Sequence, residues 1–135
     1  MKHHLLKLFI TIILASFVVS CGSSPEKKLI GTWKVEDVQT DFNEQEVTPE
    51  MLAQVVDMQK QTYFRFMSDS VMVIISSNNT HEAQWTFNDE DDIIMYFFEG
   101  METRPFELGK FEGDKIVQES STALGKITTV YRKQD

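Results

Sequence analysis

Reactive side chains are few in this sequence and lie far apart. The 135-residue chain has a single cysteine, Cys21, which ends a run of apolar residues, and beyond it the one histidine is His81. A catalytic thiolate needs a base beside it, and a zinc site needs several cysteine or histidine ligands, so the sequence favours neither. A single cysteine also excludes a disulfide within one chain. Cys21 is therefore a reactive thiol, a small buried side chain or a point of attachment.

The remaining polar groups do not form a recognisable catalytic pattern. The four consecutive acids at 89–92, which follow Asn88, lack the alternate spacing that directs oxygens at one calcium ion, and we interpret them as a hairpin turn. Residues 120–122 (SST) are likewise interpreted as a turn. The chain has no G-x-S-x-G, H-E-x-x-H or P-loop pattern. We therefore expect no enzyme activity, no cofactor and no metal.

The segment that ends at Cys21 is typical of a secretory signal peptide. Residues 1–7 carry Lys2 and Lys7, and residues 8–19 form an uncharged apolar run. This run is too short to span a bilayer as a helix. Removal of residues 1–20 lowers the formal net charge from −8 to −10. A chain with this net negative charge is not expected to bind nucleic acid or anionic bilayer surfaces, because they are negatively charged as well.

The residues around Cys21 resemble the lipobox of bacterial lipoproteins. An aliphatic residue stands at position 18, the small Ser20 precedes the cysteine and Gly22 follows it. The resemblance implies that Cys21 receives a diacylglyceryl group, becomes the mature N-terminus and attaches the protein to a membrane. Among such lipoproteins an aspartate after the cysteine retains the protein in the inner membrane. Gly22 thus implies the outer membrane, and we expect the periplasmic face. Residues 21–28 then form a linker without secondary structure.

Residues 29–135 are expected to form an all-β domain. Period-2 alternation and β-branched or aromatic content predict eight strands, separated by turns rich in Gly, Asn, Asp and Ser. One helix interrupts them, with Thr48 as N-cap, Pro49 at the first helical position and an apolar face that includes Met51 and Met58. This order predicts a closed eight-stranded up-and-down antiparallel barrel, with the helix after the first strand over one mouth. The predicted strands are residues 31–38, 62–67, 70–76, 81–88, 92–98, 103–110, 115–120 and 126–133.

The start of this domain is similar to the G-x-W signature of the lipocalins. Gly31, Thr32 and Trp33 follow Leu29 and Ile30, as in the first strand of that family. The resemblance implies a barrel in which Gly31 and Trp33 belong to the closed end. It also implies that an arginine near the end of the last strand, here Arg132, lies over the indole in a cation–π contact.

Aromatic residues are expected to dominate the interior of this barrel. A barrel of eight strands is either filled by its side chains or holds one small ligand, and the sequence leaves both open. A filled barrel predicts a module that binds another envelope protein or inhibits an invading enzyme. The second alternative predicts a site for a small apolar or amphipathic ligand, and we take it as the leading hypothesis. The residues expected to line such a pocket are Phe64, Phe66, Trp85, Phe87 and Tyr96.

Overall fold

The computed structural model describes residues 24–134, in which eight strands pair in chain order and close into an antiparallel up-and-down barrel. This confirms the predicted fold class. A helix, α1, precedes the barrel at Pro25–Leu29, and a second, α2, follows the first strand at Pro49–Lys60. The strands are β1 (Gly31–Phe42), β2 (Thr62–Phe66), β3 (Val71–Ser76), β4 (Asn79–Asn88), β5 (Ile93–Phe97), β6 (Phe106–Phe111), β7 (Lys115–Thr122) and β8 (Gly125–Gln134).

Strand β1 closes the barrel by pairing with both β2 and β8. It pairs with β8 along nearly its whole length, from Thr32 to Phe42, with a bulge at Glu36. Its pairing with β2 covers only residues 31–33. Beyond Trp33 the two strands therefore diverge, and α2, which connects them, contacts both. The bulge shifts the side-chain phase of β1, which allows a long strand to bend around a small barrel.

The two ends of the barrel differ in composition. We call the end next to α1 the closed end, and the end at which α2 and the 98–105 loop lie the mouth. Toward the closed end the inward positions are large and apolar, whereas several inward positions nearer the mouth are Thr, Ser or Gln. The buried hydrophobic cluster comprises Leu29, Trp33, Phe64, Phe66, Met72, Ala83, Trp85, Ile94, Leu108, Phe111, Ile116 and Tyr131.

Helix α1 covers the closed end, which corrects the expectation of an unstructured linker through residue 28. The Leu29 side chain is completely buried, and the Trp33 Nε1–H donates a hydrogen bond of 2.8 Å to the Leu29 carbonyl. Lys133 Nζ donates a second bond, of 3.1 Å, to the carbonyl of Lys28. A five-residue helix has no stability of its own, so it depends on this packing.

Helix α2 begins as predicted but buries less than its pattern indicates. The Thr48 hydroxyl accepts a hydrogen bond from the Met51 backbone N–H at 3.3 Å, and Pro49 stands in the first turn. No residue of α2 is fully buried, and Met51 and Met58 are 44% and 69% exposed. Gln59 links the helix to the barrel interior, because its Oε1 accepts a hydrogen bond from the Thr129 hydroxyl at 3.3 Å.

Candidate functional site

The aromatic residues expected to line a pocket mostly fill the closed half of the barrel. Phe64, Phe66 and Trp85 are 3%, 1% and 2% exposed. The rings of Phe66 and Trp85 have centroids 4.8 Å apart, and Phe64 lies 4.6 Å from Tyr131. At this separation no ligand fits between them. The structure therefore places these three residues in the packed core.

Phe87 and the closure residues Gly31 and Trp33 also lie toward the closed end. Phe87 is half-buried against Phe111, and Trp33 packs edge-to-face on the same ring at 6.0 Å. Gly31 has a φ of +132°, and a Cβ there would lie 2.6 Å from Cε of Lys133, so glycine suits both the backbone and the close approach of this side chain.

The prediction that Arg132 lies over the Trp33 indole is wrong. Tyr131 points inward and is 1% exposed, so its neighbour Arg132 points outward, in register with Lys34. The Arg132 guanidinium binds carboxylates of Glu36 and Asp114, each at 2.6 Å. These charge-assisted hydrogen bonds raise the pKa of Arg132. The basic side chain that does reach the closed end is Lys133, one position further along.

Cavities of measurable size lie outside the packed core. Five of them, with volumes of about 250 to 540 Å³, occupy the outer wall, the closed end beside α1 and the rim of the mouth. None of the five is lined by Phe64, Phe66 or Trp85. The rim cavity of about 370 Å³ lies between the end of β1 and the start of α2, and includes the inward-facing Thr40 and Phe42. One of the five cavities thus lies at the mouth, and none of the five lies between the buried rings.

A half-exposed group of aromatic side chains lies on the opposite wall of the mouth. Tyr96 and Phe106 stack with centroids 5.4 Å apart, and Phe98 packs on both, at 5.8 and 6.2 Å. His81 adds an edge contact to Phe98 at 6.4 Å. Phe106 is 42% exposed, whereas Tyr96 and Phe98 are partly buried. We call these four residues the mouth cluster.

Neutral hydrogen-bonding groups lie below the mouth cluster. The hydroxyl of Tyr131 donates to Oε1 of Gln118 at 3.3 Å, and Thr129 is bound to Gln59. Burial raises the pKa of Tyr131 far above its usual range, and the nearby Tyr96 raises it further. Burial also raises the pKa of Tyr96. Both phenols stay protonated at neutral pH, so they supply hydrogen-bond donors and not charged nucleophiles or bases.

The arrangement combines exposed aromatic surface with neutral hydrogen-bonding groups. Aromatic faces and neutral donors bind an amphipathic molecule, since its apolar part covers the rings while its polar part stays at the rim. Among residues 24–134, no three His, Cys, Asp or Glu side chains are grouped as they are in a metal site. Asn88 and Asp91 accept hydrogen bonds from the backbone N–H groups of Glu90 and Ile93, as expected for a hairpin turn.

Sequence reasoning identified Tyr96 and the strand face that carries Phe98, but it missed His81 and Phe106. Tyr96 was expected at a pocket, and Phe98 ends the predicted fifth strand on the same face. The alternation that places Ala83 and Trp85 inward would, extended by one step, have included His81. Phe106 joins the cluster only because β5 and β6 pair across a bulge, a feature that the sequence does not mark.

The residues outside 24–134 include Cys21, so its predicted acylation lies beyond the described part of the chain. Within that part, no helix has both the length and the hydrophobicity needed to cross a bilayer. Comparison with protein-family models, with curated proteins and with solved structures finds no match for this chain.

Proposed function

We propose that the protein is a lipid-anchored lipoprotein of the outer membrane whose barrel binds a small amphipathic ligand at its mouth. The observation that carries the proposal is the mouth cluster, in which an exposed Phe106 stacks on Tyr96 above a filled barrel. Because the core below is packed, the ligand lies at the mouth and not deep in the barrel. This position differs from the deep pocket that the sequence suggested.

Burial of the cluster supplies the driving force for such binding. A ligand that covers about 100 Å² of aromatic surface gains roughly 2.5 kcal/mol from the apolar area removed from water. The Tyr96 hydroxyl is neutral and supplies a donor at the edge of the stacked rings, and the half-buried Gln118 lies on the neighbouring wall. These groups orient a polar end without requiring it to lose all of its hydration.

The ligand proposal is tested with protein purified from its own cells. Native mass spectrometry is expected to show a retained small molecule that denaturation releases. Phe106→Ala is expected to reduce its occupancy several-fold, since truncation removes one of the two stacked rings. Met67→Ala, which shortens a 56% exposed apolar side chain near the closed end, is the control and leaves occupancy unchanged. Equal loss in both variants, or no retained molecule in the parent protein, would contradict the proposal.

The lipid anchor has a separate test. Cys21→Ala removes the acylated thiol and is expected to shift the protein out of the membrane fraction after cell lysis. Ser24→Ala is the control, because it changes a small residue between the acylation point and α1 without touching the thiol. Retention of the Cys21→Ala protein in the membrane fraction would refute the anchor and leave the ligand proposal standing.

A protein-binding function is the second candidate, favoured by the exposed apolar face of α2. Met51 and Met58 lie on a helix without a fully buried residue, as at an unoccupied contact surface. A photo-crosslinking residue at position 58 or 106 distinguishes the two functions in living cells. Protein adducts from position 58 alone would support a partner, whereas small-molecule adducts from position 106 would support the ligand.

A further inference from the structure

We infer that the ligand of the mouth cluster is a cationic amphiphile, a molecule with an apolar body and a positively charged end. This inference rests on the proposed ligand site and adds the charge class of its occupant. It is carried by the position of the aromatic rings within a strongly acidic end of the barrel.

Charge is distributed unevenly along the barrel axis. The segments that form the mouth end are residues 41–62, 74–82, 97–107 and 118–128, and they contain ten carboxylates but only three basic residues. Of these three, Lys126 is paired with Glu119 at 3.0 Å. The rest of residues 24–134 contains another ten carboxylates but eight basic residues, among them Lys28, Arg132 and Lys133, so the formal charge is −7 at the mouth end and −2 elsewhere. The carboxylates of the mouth end are Asp41, Glu44, Glu46, Glu50, Asp57, Glu82, Glu99, Glu102, Glu107 and Glu119, and its basic residues are Lys60, Arg104 and Lys126.

The loop at 98–105 carries two of these carboxylates, Glu99 and Glu102, and both side chains are exposed. It joins Phe98 to Phe106, so both of its ends belong to the mouth cluster. Backbone bonds order it, from Met101 N–H to the Phe98 carbonyl at 2.9 Å and from Arg104 N–H to the Met101 carbonyl at 3.0 Å.

Glu102 in this loop accepts a further bond, from the Gly100 N–H, at 3.2 Å. Neither Glu99 nor Glu102 forms an ion pair with a residue of 24–134, although Arg104 lies in the same loop. Both carboxylates are therefore available to a cation that reaches the rings.

The aromatic rings and the carboxylates both favour a positively charged ligand. The face of an aromatic ring carries negative electrostatic potential and attracts an ammonium or guanidinium group. The surplus of carboxylates around the mouth raises the local concentration of cations and repels anions. A neutral amphiphile gains only from ring burial, and an anionic one loses part of that gain to repulsion. The expected order of affinity is cationic, then neutral, then anionic.

The test compares three amphiphiles that share one tail. The lipidated full-length protein is reconstituted in phosphatidylcholine vesicles and titrated by calorimetry, with empty vesicles as the reference. The probes are octyltrimethylammonium, octyl glucoside and octyl sulfate, each below its micelle-forming concentration. We expect the ammonium to bind roughly fivefold or more tightly than the glucoside, and high salt to remove this preference.

Paired variants identify the groups responsible. Glu99→Gln with Glu102→Gln is expected to weaken ammonium binding roughly three- to tenfold and to leave glucoside binding unchanged, as fits two partly screened carboxylates. Asp89→Asn with Glu90→Gln removes the same number of charges from the closed-end turn and is expected to leave both affinities unchanged.

The outcomes separate this inference from the proposed function. Equal affinity for the ammonium and the glucoside, or an equal effect of the two double variants, overturns the charge preference and leaves the ligand site intact. Failure of all three probes to bind overturns both.

Discussion

The packing of α1 against the barrel predicts that Leu29 contributes strongly to stability. Leu29→Ala removes a side chain that is 0% exposed and packs in the cluster with Trp33. The hydrogen bond from Trp33 is to the Leu29 backbone carbonyl, so alanine retains it. The cost is therefore the lost apolar burial together with the cavity that remains, about 2–5 kcal/mol in the free energy of unfolding. A domain of this size has a total stability of roughly 5–15 kcal/mol, so the loss is easily measured.

Urea denaturation followed by tryptophan fluorescence measures this effect. Both tryptophans are buried, Trp33 at 1% and Trp85 at 2% exposure, so unfolding exposes both to water. The control is Met67→Ala at the same end of the barrel, where an exposed side chain is expected to contribute less than about 0.5 kcal/mol. If Leu29→Ala changed stability no more than this control does, α1 would not be packed on the barrel and the argument for a closed end would fail.

Three further variants test the remaining contacts. Tyr131→Phe is expected to reduce the loss of stability at alkaline pH. Burial raises the pKa of Tyr131 in the folded protein, so above about pH 10 only the unfolded chain ionises there. This difference destabilises the parent protein by up to about 1.4 kcal/mol per pH unit. A parent-like slope in this variant, measured by urea melts at several pH values, would refute the assignment. Gly31→Ala is expected to cost about 1–3 kcal/mol, because the residue has a φ of +132° and Lys133 lies where its Cβ would be. An unchanged urea midpoint would contradict it. Arg132→Gln is expected to leave the emission maximum of Trp33 unchanged and to reduce stability only at low salt. A shifted emission maximum would indicate that the guanidinium contacts the indole.

The strands were predictable from sequence because their signal is local. Alternation of apolar and polar residues depends on the backbone alone, and each of the eight predicted strands overlaps an observed one. The position of α1 was not predictable in this way, since the pocket that receives Leu29 exists only after β1 and β8 have closed the barrel. The contact between Arg132 and Trp33 was predicted wrongly because it was inferred from the position of Arg132 near the end of β8. The alternation of side chains between the two faces of that strand was not considered. The inward position of Tyr131 already requires that Arg132 point outward and Lys133 inward.

The candidate site was less predictable than the fold. Tyr96 was found because it lies on an apolar strand, but the exposure of its partner Phe106 depends on how the loop at 98–105 is folded. Whether a barrel is filled depends on the sum of side-chain volumes at its inward positions. The β1 bulge at Glu36 and the β5–β6 bulge change which residues those are.

The position of α1 also fixes how an anchored barrel would be oriented. Between an acylated Cys21 and the first residue of α1, Pro25, the chain spans at most about 14 Å, even when fully extended. In a protein anchored in this way, the closed end would therefore be the side nearest the bilayer. The mouth lies at the far end of β1 and β8, which have 12 and 10 residues, so it is roughly 33–40 Å further along the strands before allowance for strand tilt. A ligand would then reach the mouth cluster from the aqueous compartment and not by lateral diffusion within the lipid. The same short connection would keep every copy of the protein facing away from the membrane that holds it.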